Sequence, residues 1–123
     1  MLNASCLCGD VTFTVNPNAR VTACHCGQCR KQSGHHWSSG NANVTDFDIK
    51  GEVRWFEASR IAKRGFCPTC GSFLFWKAHA ESKMSFSMGL IDGPTGLKLQ
   101  EHIFVADKGD YYEIADNVPQ REH

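Results

Sequence analysis

The chain has 123 residues, 41% hydrophobic and 21% charged, which fits one soluble domain with a modest core. Thirteen basic residues balance thirteen acidic ones, and this neutrality argues against nucleic acid or an anionic membrane as the main partner. No apolar run approaches the roughly 20 residues of a membrane span, and the start MLNASCLCGD has no basic region followed by an apolar stretch, so a cytoplasmic location is expected.

In chain order, DVTFTV (10–15) sets Val11, Phe13 and Val15 on one face and threonines on the other, the two-residue period of a half-buried strand. NPNA (16–19) breaks it. A helical turn or two is expected from Gly27 to Gln32, closed by Gly34. VRWFEAS (53–59) and SFLFWK (72–77) are rich in strand formers. MSFSMGL (84–90) alternates again, DGPTG (92–96) is a turn, and HIFV (102–105) reads as a last short strand. The pattern predicts an antiparallel all-β domain over residues 1–123, with a core of Phe13, Val15, Phe56, Phe73, Phe75, Met84, Phe86 and Met88. Trp37, Trp55 and Trp76 read as packing, and the polar tail from about residue 117 is expected to fray.

Seven cysteines dominate the composition. An odd number in tight groups does not suit a disulfide framework but does suit metal, because a turn must aim its sulfurs at one point. CPTCG (67–71) resembles a zinc knuckle. In an extended strand Cys6 and Cys8 point to one side. Pairing these groups gives a closed site of Cys6, Cys8, Cys67 and Cys70 for a structural zinc. Cys24, Cys26 and Cys29 remain for a second zinc, whose fourth position is open to water, a substrate thiolate or a histidine. His25 is a poor candidate, since the cysteines flanking it would turn its ring away, whereas His35 and His36 could reach back. Seven thiolates and two dications would leave the protein slightly acidic.

The ordered series CLCG, CHCGQCRKQSG, RGFCPTCGS, GLIDGP and EHIFV resembles the glutathione-dependent formaldehyde-activating enzymes, also called the centromere-protein-V-like family, from about Ser5 to Pro119. The resemblance implies an Mss4-like β-tent with two zinc ions. It implies a structural metal on Cys6, Cys8, Cys67 and Cys70, and a catalytic one on Cys24, Cys26 and Cys29. The activity it implies is that of a carbon–sulfur lyase joining glutathione and formaldehyde as S-hydroxymethylglutathione. An open three-thiolate zinc suits this chemistry, since it favours a bound thiolate over the thiol. His35 and His36 are candidates for proton transfer and substrate binding, and Arg30, Lys31, Lys63 and Arg64 are the cations available for a substrate carboxylate, Arg64 foremost. Two histidines in GHHW stand where relatives usually carry smaller or apolar residues. The alternative is a non-catalytic zinc-stabilised protein-interaction module, recognisable by a second site closed by His35 or His36.

Overall fold

The computed structural model describes residues 1–123. Ten short strands form two sheets, so the fold is mostly β. The smaller sheet has the order β1-β2-β5, from Leu2–Ser5 (β1), Thr12–Val15 (β2) and Phe47–Lys50 (β5). Seven strands build the larger sheet: Val21–Cys24 (β3), Trp37–Asn43 (β4), Arg54–Glu57 (β6), Ala62–Phe66 (β7), Phe73–Ala78 (β8), Lys83–Ser87 (β9) and Leu99–Ile103 (β10). Their order is β10-β3-β4-β9-β8-β7-β6. The single α-helix, Gly27–Ser33 (α1), ends at Gly34 in the left-handed region, as its sequence predicts.

The alternation in β2 and β9 does what the period requires. Phe13 and Val15 meet Met84, Phe86, Leu74 and Phe75 in the main core, where Phe13 and Phe75 rings lie 5.0 Å apart. This core fills the space between the small sheet and one face of the large one. Gly40 in β4 lies opposite Phe86, and a Cβ there would come within 2.6 Å of that ring, so only glycine lets the strand approach.

Several expectations need correction. The strand in MSFSMGL stops at Ser87, and Met88–Leu90 form a 3-10 turn. Phe56 is 61% exposed on β6, an edge strand, and is not core; Phe73 and Met88 are only partly buried. One pair is not antiparallel: β10 runs parallel to β3. The last strand begins at Leu99 and ends at Ile103, before Phe104. The tail is paired along the sheet edge. The amide of His102 donates to the Pro119 carbonyl at 2.8 Å, and that of Arg121 to His102 at 2.8 Å. The amides of Val105 and Ala106 donate to Arg121 and Glu122, so the tail extends the sheet edge and satisfies its backbone. A polar composition did not reveal this, because backbone pairing needs no apolar side chain.

Candidate metal centres and the cavity beside them

All seven cysteines are free and fall into two sets, each with its sulfurs within 4.8 Å of one another: Cys6, Cys8, Cys67 and Cys70, and Cys24, Cys26 and Cys29. In the quartet, Cys6 Sγ lies 3.6 Å from Cys8 Sγ, which lies 3.8 Å from Cys67 Sγ. A disulfide needs about 2.05 Å. Four thiolates at about 2.3 Å around a tetrahedral zinc stand about 3.8 Å apart, so the donor set fits that ion. Two turns bring the sulfurs together. The amide of Gly9 bonds to the Cys6 carbonyl and that of Gly71 to the Cys67 carbonyl. The side chain and then the amide of Ser72 hold Cys70 down at about 5. Cys6 and Cys67 are themselves part of the main core.

The trio sits where β3 passes into α1. Cys24 ends β3, Cys29 lies in the helix, and Cys26 caps it, its sulfur accepting from the Cys29 amide at 3.4 Å. Hydrogen bonds from Cys24 and Cys29, with smaller help from the Cys29 amide and the Arg64 charge, push the Cys26 thiol well down. The same sulfur contacts push Cys24 up, because three crowded thiols cannot all ionise without a cation among them. A cation held among the three sulfurs would let all of them ionise.

Arg64 supplies part of that charge. It is 5% exposed and meets no carboxylate; its guanidinium lies 3.6 and 3.7 Å from Cys29 Sγ and donates to Gln28 and Gln32 of α1. A guanidinium buried without an anion costs several kcal/mol (on the order of 3–5). Its charge complements thiolates on the trio. Three thiolates, one dication and one guanidinium cancel. Arg64 thus lies beside sulfurs that could hold a metal; the sequence offers it as a cation for a substrate carboxylate.

Beside the trio opens a cavity of about 330 Å³ on the face of the large sheet turned away from the core. Register explains the lining. Thr22 lies opposite Ser39, Cys24 opposite Trp37, Asn41 opposite Ser85, and Trp76 opposite both Ser85 and Arg64. Opposite residues share a face, so β3, β4, β9, β8 and β7 turn these side chains into one space. Trp37 and Trp76, which the sequence reads as packing, are cavity walls.

His35 and His36 do not line this cavity. They lie in a separate cluster with His25, His102, Tyr111 and Tyr112, where the Tyr111 hydroxyl is hydrogen-bonded to His35 Nδ1 at 2.7 Å. His25 is fully buried and turned from the trio, as its position between two cysteines predicts. Its Nδ1 meets the Tyr112 hydroxyl, and its Nε2 lies 2.9 Å from His102 Nδ1; His102 Nε2 lies 2.9 Å from Asp116. An ionised Asp116 only accepts. His102 then donates to it, His25 donates to His102, and Tyr112 donates to His25, which satisfies every atom with both imidazoles neutral. Burial above all lowers His25 to about 4 and keeps it neutral. The sequence did not disclose this chain, because its members are 77 and 87 residues from His25.

The hydrogen bond from His102, then the Val118 amide, hold Asp116 below the usual carboxylate range. A carboxyl lowered in the folded state stabilises above its unfolded value, and that stability is lost as pH falls through the folded value. Asp116→Ala is therefore expected to lower the urea midpoint at pH 7. The gap to wild type should close in acid below the ordinary carboxylate range; a gap independent of pH would contradict this.

The model of the glutathione-dependent formaldehyde-activating enzyme family matches residues 1–107, a stretch that carries both cysteine sets in order. The chain belongs to this family. Among solved structures it resembles a crystal structure of a Rhodobacter sphaeroides protein from structural genomics, with a TM-score of 0.66 and 22% sequence identity. The likeness covers 77% of this chain and 92% of that one, and it concerns the fold. No curated protein matches the chain. In this formaldehyde-activating-family chain, Tyr111, Tyr112 and Asp116 lie beyond the matched residues, so the far end of the histidine chain is contributed by the tail.

Proposed function

We propose that the protein is a zinc-dependent carbon–sulfur lyase that forms and cleaves a thiol–aldehyde adduct, with the substrate thiol entering at Cys24, Cys26 and Cys29. One zinc would be structural, on Cys6, Cys8, Cys67 and Cys70, and a second would be held by the trio. The observation that carries this reading is buried Arg64, whose charge is balanced by sulfur and not by carboxylate, at a trio with no fourth protein ligand and a cavity beside it. Bound at the trio, zinc supplies a fourth coordination position that favours thiolate over thiol.

The rest falls to the chain. Arg64 offsets charge at the sulfurs, while Trp37, Trp76 and Ile103 form an apolar wall around the reacting pair. In the forming direction the thiol gives up its proton, and a sulfur electron pair makes the carbon–sulfur bond. The carbonyl π pair moves to oxygen, which takes a proton. Thiol plus formaldehyde gives the S-hydroxymethyl adduct with no change of oxidation state. No histidine lines the cavity, so both protons exchange with solvent. The family's name supports glutathione and formaldehyde as the reactant types. A non-catalytic interaction module would need the trio closed by His35 or His36, and neither places a ring nitrogen in the cluster that the three sulfurs form.

Seven free thiols fit a reducing compartment, so we place the protein in the cytoplasm; no helix is long and apolar enough to cross a membrane. Both sheets cover one main core, which supports reading the chain as a single domain.

Exchange spectroscopy by NMR tests the reading, since adducts also form without catalyst. Zinc-loaded protein should speed exchange between formaldehyde and the adducts of glutathione or phenylmethanethiol, and Cys29→Ser should abolish the acceleration. Exchange at the uncatalysed rate with every thiol would overturn it.

A further inference from the structure

We propose that the thiol taken at the trio has an apolar, uncharged body, in preference to a peptide thiol with two carboxylates such as glutathione. This rests on the open-trio reading above and narrows it.

The cavity has two basic side chains, Arg20 and Arg64, and neither is free. Arg64 is engaged by Cys29, Gln28 and Gln32. Arg20 lies 2.6 Å from the Glu101 carboxylate, so an incoming carboxylate at that end meets an anion beside the cation. In the adjoining groove that Arg20 also lines, Lys83 stands with Glu81, again one charge of each sign. Within the cavity itself, a carboxylate loses water without gaining an uncommitted cation.

What the cavity offers instead is apolar surface with neutral hydrogen-bonding groups. Trp37 is fixed by stacking on Phe73 at 4.3 Å between centroids and by donating its indole N–H to Ser87, so that wall is preformed. Two side chains lining the cavity are large, apolar and exposed: Ile61 at 64% and Phe104 at 39%. Exposed apolar groups beside a cavity are what an apolar ligand would cover.

Phe104 adds an independent sign. Its backbone is left-handed, with φ 55° and ψ 39°, a conformation disfavoured for a bulky residue. The amides of Val105 and Ala106, bonded to Arg121 and Glu122, hold the chain in it. Such strain persists where neighbouring structure over-determines it, and it clusters at ligand sites. Here it keeps a half-exposed ring on the cavity.

The test is calorimetric titration of the zinc-loaded full chain with phenylmethanethiol and with glutathione, followed in parallel by tryptophan fluorescence. Phenylmethanethiol should bind at least about tenfold tighter. Phe104→Gly, which relieves the backbone, should weaken phenylmethanethiol by about fivefold, keep glutathione within about twofold, and leave the melting temperature within a few degrees. Ile61→Ser, at an exposed position, should act in the same direction. Glutathione binding as tightly as phenylmethanethiol, or equal weakening of both by Phe104→Gly, overturns the inference and leaves the open trio standing. Binding of neither thiol overturns both.

Discussion

Cys67→Ser is expected to be the most damaging single substitution at either sulfur set. Cys67 is fully buried, belongs to the main core, and joins the start of the chain to a turn 59 residues beyond Cys8. Closing a loop of that length removes about 4 kcal/mol of chain entropy from the unfolded state. Metal affinity at such a site is also folding free energy, and a domain of this size has only about 5–15 kcal/mol in total. Loss of at least about 4 kcal/mol should follow, seen as a large fall in the denaturant midpoint. Cys29→Ser should cost far less, because the trio spans only the turn from β3 into α1. Equal destabilisation by the two substitutions would show that the sets do not divide into an anchor and a working site.

Arg64→Ala is expected to weaken zinc at the trio by about 10–100-fold while leaving the quartet untouched. Without the guanidinium the thiolates keep their mutual repulsion and lose a buried counter-charge 3.6 Å from Cys29 Sγ. Arg64→Lys should recover only part of the affinity. A single ammonium cannot reproduce the planar fork that reaches Gln28, Gln32 and the sulfur together. Competition against a chromophoric chelator reads both sites in one titration. Unchanged affinity in Arg64→Ala would return this residue to the role the sequence suggested, that of holding a substrate carboxylate.

What was legible in the sequence was local. Cysteine spacing within a turn determines where sulfurs can aim, so both sets could be read before any fold was known. Alternation exposed β2 and β9, where large apolar side chains face threonine or serine. β3 escaped because all four of its residues are buried, which erases the period. β4 escaped because both its faces carry small residues: Gly40 and Ala42 toward the core, Ser39 and Asn41 toward the cavity. Arg64 was noticed for its charge, but its place beside Cys29 Sγ was not. The signal that could have placed it is the alternation of Ala62 and Arg64 on one face of β7, both buried. The parallel docking of β10 and the histidine–tyrosine chain depend on contacts far apart in sequence, which no local pattern encodes. Phe56 shows the opposite error, an apolar residue placed inside although its strand lies at a sheet edge.

The division of labour between the two sulfur sets is best tested by following zinc release from the full chain under a chelator, with and without a small thiol. Two ions per chain should leave in separate phases. The faster should vanish in Cys29→Ser and shift in rate with added thiol, while the slower coincides with unfolding. A single inert ion, or two ions that ignore thiol alike, would contradict the account.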